Sequence, residues 1–309
     1  MLSVIIPAFK EEANIATAGA RIGSILHENG IPFELIFVDD GSPDGTWAAI
    51  KRWAAEPCGP DGIRRGLRFS RNFGKEAAIF SGLSAAKGDC CAVLDCDMQH
   101  PPEALVEMYR AWENGAEVVE GVKLSRGREG LLYKGMSKLF YGLISRAVGR
   151  DMRSASDFKL LDRKVVDEIL RFPERNLFFR AITGWVGFST ATVSFSVQER
   201  ADGSGSRWSL SKLTRYALTN ITSFSTLPMQ IVTVIAALFL VLAVIIGVKA
   251  LVMFFSGTAV EGFTTVILLQ LISGGAILFG IGVIGWYIAR IYEEVKQRPR
   301  YIVAERIGE

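Results

Sequence analysis

The chain reads as an α/β protein, a Rossmann-like, mostly parallel sheet with helices on both faces, followed by an interfacial amphipathic helix and a two-helix transmembrane hairpin. Three observations predict this. Strand-like and helix-like segments alternate over the first 120 or so residues, as expected for a parallel sheet built from βα units. Polar clusters fall directly after the apolar strands, where open α/β sheets bind ligands. Toward the C-terminus stand two long runs almost free of charge.

The elements follow in order. Leu2–Ile6 is apolar and β-branched, Asn14 to Glu28 has helical periodicity, and Phe33–Val38 is a second apolar strand. Thr46 to Ala55 is helical, Gly66–Phe69 is a short strand, and Glu76 to Lys87 is helical. Cys90–Leu94 is a strand, Pro102 to Asn114 a helix, and Val118-Val119 begins another strand. Strands buried on both faces are continuously apolar, as these are.

Residues 134–150 carry Met136, Leu139, Phe140, Leu143, Ile144, Ala147 and Val148 at helical spacing, with Lys134, Lys138 and Arg146 elsewhere on the wheel. That is a basic amphipathic helix within the N-terminal domain, assigned to residues 1–207. A second, at 208–227, runs from Trp208 through Leu213, Ala217 and Phe224 into Pro228, where the first span starts. The spans are 229–255, charged only at Lys249, and 263–289, without charge; each exceeds the ~20 residues that cross a hydrocarbon core. They are placed within 228–290, with 291–309 as a tail.

Lys212 and Arg215 precede the spans, and Arg290, Lys296, Arg298 and Arg300 follow them, whereas the intervening loop carries only Glu261. The positive-inside rule puts both termini and the N-terminal domain in the cytoplasm, in a multi-pass protein of the cell (inner) membrane. Lys249 snorkels from the end of its span. The small pair Ala276 and Gly280 permits close helix packing, within the hairpin or with a second copy of the chain in a homo-oligomer. No basic, apolar and cleavable segment precedes the first strand, so no signal peptide is expected.

A formal net charge of +3 is too small to suggest nucleic acid. Cys58, Cys90, Cys91 and Cys96 lack zinc spacing; the last three read as small buried strand residues. The first strand ends without the Gly-x-Gly-x-x-Gly turn, and no Gly-Lys-Ser/Thr phosphate loop occurs, which excludes two common nucleotide-binding designs.

Two clusters carry chemistry. Asp95-Cys96-Asp97 leaves a buried strand and enters the turn Gln99-His100-Pro101-Pro102. Residues i and i+2 of an extended chain face the same way, and hard oxygen ligands on one side of an open site suit Mg2+ or Mn2+ bound to a diphosphate. The alternative is a solvated turn. Asp39-Asp40-Gly41-Ser42-Pro43-Asp44-Gly45-Thr46 ends another strand with two acids and a glycine turn. Such acids accept from ribose hydroxyls and nucleobase N–H groups; the alternative is a turn with Asp44 or Thr46 as helix cap.

Together these segments resemble the family 2 glycosyltransferases of GT-A fold, and among them the polyprenyl-phosphate branch of dolichol-phosphate mannose synthases and bactoprenol-phosphate sugar transferases. Pro7-Ala8-Phe9-Lys10-Glu11-Glu12 is similar to the family's Pro-Ala-Tyr-Asn-Glu-Glu turn, with Phe9 for Tyr and Lys10 for Asn. Val38 to Thr46, Ser70 to Glu76, Asp95 to Glu103 and Ser156 to Arg163 resemble its further motifs. The resemblance implies a nucleotide-sugar donor, UDP-glucose by default, bound by Pro7, Phe9, Glu11, Asp39, Asp40, Lys75 and Asp95. It implies Mg2+ or Mn2+ held by Asp95, Asp97 and Gln99, with Asp97 and Asp157 catalytic and Asp157 in the general-base position. Arg200, Ser206 and Arg207 fall where the family binds the phosphate of the polyprenyl phosphate acceptor, although the run from Arg200 to Trp208 is one residue longer than usual.

The implied reaction is inverting transfer of one sugar to undecaprenyl or dolichyl phosphate at the cytoplasmic face of the bilayer. The acceptor is already anionic, so Asp157 has little proton to remove and orients the acceptor instead, or caps a turn. A processive polysaccharide synthase is the alternative enzyme, but its Gln-x-x-Arg-Trp motif finds Ser204 where glutamine belongs. A non-catalytic membrane scaffold is the alternative outside enzymes, and the intact acids argue against it.

Overall fold

The computed structural model describes residues 1–56, 62–123, 156–174, 178–195, 227–256 and 262–308. The amphipathic segment 134–150, nearly all of 208–227, and Arg200, Ser206, Arg207 and Cys58 lie outside the described residues. The chain divides into two units, residues 1–215 with 299–309, and residues 216–298.

The first unit is an eight-stranded sheet. Its elements are β1 (Leu2–Ala8), α1 (Ile15–Glu28), β2 (Phe33–Asp39), α2 (Thr46–Ala55), β3 (Gly62–Phe69), α3 (Lys75–Ala85), β4 (Cys90–Val93), α4 (Glu103–Glu113) and β5 (Val118–Lys123). Then come β6 (Lys159–Asp162), α5 (Arg163–Arg171), α6 (Phe179–Trp185) and β7 (Thr190–Phe195). The second unit contributes α7 (Leu227–Phe255) and α8 (Phe263–Val295), after which β8 (Val303–Ile307) rejoins the sheet.

The strand order is β7-β5-β6-β4-β1-β2-β3-β8. Strand β1 lies parallel between β2 and β4, and β3 is parallel to β2, so the four strands read as βα units all end at one edge. Strands β6 and β8 enter antiparallel. The sheet is therefore mixed.

Alternate residues of a strand face opposite ways, and β1 divides accordingly. Leu2, Val4 and Ile6 enter a layer with Ile22 of α1, Ile50 of α2 and Leu105 of α4. Ile5 enters the other layer with Ile79 of α3, Val165 of α5 and Phe179 of α6. Two apolar layers clamp β1, and replacing so buried an isoleucine by alanine costs about 2–5 kcal/mol.

In the second unit, Met229–Lys249 and Leu268–Val295 are long and apolar enough to cross a membrane. Their described apolar side chains are largely exposed, Leu240 at 68% and Leu278 at 71%. A soluble core helix would bury them. A Cβ on Gly280 would come within 3.1 Å of Val232 Cγ1, so the expected small-residue position is where the two helices of this unit meet.

Candidate active site

The loop after β1 is laced to the loop after β2. Asp40 N donates to Ala8 O, Lys10 N to Ser42 Oγ (3.0 Å), and Glu11 N to Thr46 Oγ1 (3.0 Å). Lys10 takes φ +60°, a left-handed conformation that asparagine tolerates better than lysine. That explains why asparagine suits this turn. Phe9 stands 39% exposed at the strand end.

Asp39 and Asp40 have different tasks. Asp40 accepts from Phe73 N (2.6 Å), Gly74 N (2.9 Å) and Asn72 Nδ2 (2.9 Å), so it braces the loop leading into α3. Asp39 is fully buried; its Oδ1 accepts from Ser42 N at 2.9 Å, while its Oδ2 has no hydrogen-bond donor among the described residues. Arg68 Nε stands 3.7 Å from that oxygen. Burial raises the pKa of both acids. Gly41 permits this approach, having φ +64° and Arg71 backbone where a Cβ would stand.

Four alternating charges, Asp95, Lys75, Asp157 and Arg180, form one chain beyond α3 and β4. Lys75 Nζ lies 2.6 Å from Asp95 Oδ1 and 2.8 Å from Asp157 Oδ2. Arg180 meets Asp157 through Nε at 2.6 Å and Nη2 at 2.8 Å. Burial alone would lift the Asp157 carboxyl, but Lys75 and Arg180 overcome it and hold it far below the usual carboxylate range. Burial likewise opposes the charge on Lys75, and Asp95 and Asp157 reverse that, raising its pKa. Glu76 accepts from Phe179 N at 2.9 Å and is pushed up to about 7, by burial first and then by the charge of Asp157.

The Asp95–Gln99 turn is shaped by Met98 at φ +56° and by Gln99 N donating to Asp97 Oδ1 at 3.1 Å. His100 is buried against Phe158 and Phe195, with ring centroids 5.1 and 5.3 Å away, and so ties this turn to the Asp157 segment. Beneath α6, the fully buried Lys159 donates to Glu120 Oε1 and Thr183 Oγ1, both at 2.6 Å. Cys90, Cys91 and Cys96 are buried, and burial raises their thiol pKa values, that of Cys91 to about 12. They are small core residues.

The donor set suits a hard divalent cation. Among the described residues no three His, Cys, Asp or Glu side chains gather as a closed cage; the turn offers two carboxylates and the Gln99 amide instead. Such a set leaves positions for phosphate oxygens. The Lys75 ammonium forms an ion pair with one of these acids, Asp95.

Residues 3–170 match the family model described as glycosyl transferase family 2. The chain belongs to glycosyl transferase family 2. Over 98% of its length it is 35% identical to the SfII prophage-derived bactoprenol glucosyl transferase of Shigella flexneri, covering 97% of that protein. It is equally 35% identical, over 98% of each chain, to the prophage bactoprenol glucosyl transferase homolog of Escherichia coli K12. Among solved structures, mannosyl-3-phosphoglycerate synthase from Rubrobacter xylanophilus superposes with TM-score 0.50 at 15% identity, covering 72% of both chains. That likeness concerns the fold, which is the GT-A arrangement.

Within this family 2 glycosyl transferase, the structure gathers Lys75, Asp95 and Asp157 in one charge network and sets Pro7 beside Val38 at the end of β2. Sequence reasoning missed Arg180, Glu76, Lys159 and Arg68. Glu76 ends the matched segment Ser70–Glu76 and offered a signal. Arg180 offered none, because its partner Asp157 is distant in sequence and α6 is short.

Proposed function

We propose that this glycosyl transferase moves one hexose, from UDP-glucose by default, to the phosphate of a polyprenyl phosphate at the cytoplasmic face of the membrane, with inversion. The observation that carries this reading is the clamp on Asp157. A carboxylate fixed between Lys75 and Arg180 is a poor proton acceptor, which suits a nucleophile that arrives already deprotonated. A phosphate monoester is such a nucleophile; a sugar hydroxyl is not. The names of the full-length relatives point to the same acceptor class.

In this reading the nucleoside donates to Asp39 Oδ2 at the end of β2, with Pro7, Phe9 and Glu11 alongside. Asp95, Asp97 and Gln99 would hold Mg2+ or Mn2+, whose charge stabilises the departing diphosphate. Asp157 keeps Arg180 and Lys75 oriented toward the anionic acceptor. An acceptor phosphate oxygen forms its bond to the sugar anomeric carbon from the side opposite the diphosphate, the bond to the diphosphate breaks, and no proton changes hands. Arg200, Ser206 and Arg207 are assigned to the acceptor phosphate.

The lipid tail of the acceptor accounts for α7 and α8. The chain leaves the catalytic unit before α7 and is back in its sheet at β8. If both helices cross the bilayer, both flanks share one side, and the basic residues around the spans make it the cytoplasmic side. The test is purified protein with polyprenyl phosphate vesicles and a panel of UDP-, GDP- and dTDP-hexoses, with lipid products resolved by mass. One lipid-linked hexose is expected; a polymer, or no lipid product from any donor, overturns the reading.

A further inference from the structure

Asp39, Arg68 and Glu305 stand opposite one another on three neighbouring strands. Asp39 of β2 is in register with Arg68 of β3, and Arg68 with Glu305 of β8. Cross-strand partners in register share a face of the sheet. Arg68 therefore has a carboxylate on either side. It has closed on only one of them: Nη1 lies 2.9 Å from Glu305 Oε1, whereas Nε remains 3.7 Å from Asp39 Oδ2. Glu305 is itself held, since Trp47 Nε1 donates to its Oε2 at 2.9 Å and Lys51 Nζ stands 3.8 Å away. Phe69 and Tyr301 stack at 5.1 Å and dock the segment leading into β8.

We propose that Glu305 is a positioning residue for the nucleotide site: by drawing the Arg68 guanidinium toward β8, it leaves the buried Asp39 Oδ2 without a hydrogen-bond donor among the described residues, so that a donor group of the nucleoside can take that place. This rests on the reading of Asp39 as the nucleoside's acceptor. A buried carboxylate oxygen without a donor attracts any nearby cation, and Arg68 is flexible enough to reach it. With Glu305 neutralised, Arg68 closes on Asp39 and competes with the nucleotide. Donor affinity then depends on a strand that follows both apolar helices in the chain.

The test is calorimetric titration of UDP with MnCl2 into the full-length protein, with GDP and dTDP in parallel, alongside steady-state kinetics. Glu305→Gln is expected to weaken nucleotide binding by roughly threefold, the scale of an exposed ion pair, and to raise the donor KM with kcat unchanged. In the Arg68→Met background the same substitution is expected to have no effect, because the competing cation is gone. Unchanged binding in Glu305→Gln, or an equal loss with and without Arg68, overturns the proposal. If Asp39→Asn binds as tightly as the wild type, the reading of Asp39 fails first, and this proposal with it.

Discussion

Arg180 grips Asp157 with two nitrogens on two oxygens, Nε to Oδ1 at 2.6 Å and Nη2 to Oδ2 at 2.8 Å. A planar fork of this kind fixes direction as well as charge, which a lysine cannot reproduce. Arg180→Met should therefore lower kcat by at least about tenfold, since removing one partner of a buried charge pair typically costs 2–5 kcal/mol. Arg180→Lys should recover only part of it. Rates measured at saturating donor and lipid phosphate check both.

Lys75 on Asp95 competes with any cation for that acid. Lys75→Met should bind Mn2+ more tightly in the absence of nucleotide while transferring sugar more slowly. Mn2+ paramagnetic resonance reads the first effect and product formation the second. Asp97→Asn should lose both.

Glu76 supplies a pH signature. Its folded pKa, about 7, lies above the ordinary glutamate value of 4.5, so the unfolded chain gives up this proton before the folded one does. The group's contribution to stability is fully present below about pH 4.5 and is lost as pH rises through 7. Glu76→Gln should remove that loss and be more stable than wild type at pH 8 but not at pH 4.5. Paired denaturation curves at the two pH values decide it.

Lys10 adopts φ +60° with its ammonium 5.6 Å from the Phe9 ring centroid. Left-handed backbone costs a lysine about 1 kcal/mol, and the exposed ring contact returns about half of that. Lys10→Asn should raise stability by about 0.5 kcal/mol, seen as a small rise in Tm.

The strand-end clusters were legible because parallel βα units carry their loops to one edge, so Pro7, Asp39 and Asp95 could be gathered from the strand pattern alone. Asp157 was legible only as part of a motif, and its clamp was not, because Arg180 comes from a different element. Strand β6 was hidden by Lys159, a charged residue at a fully buried position whose Glu120 and Thr183 partners only the fold reveals. Strand β8 was hidden for another reason. Its Glu305 and Arg306 are exposed, as charges on an edge strand commonly are, and they erase the apolar pattern that marks an interior strand.

The position of β8 in the chain also sets a schedule for synthesis. Strand β3 cannot acquire its outer neighbour until Val303–Ile307 has emerged from the ribosome, and both long apolar helices emerge first. A nascent chain stalled earlier carries an open edge, with unpaired N–H and C=O groups at Gly66 to Phe69 ready to recruit another strand. This five-residue strand therefore works as a latch, closing only on chains translated beyond both long apolar helices.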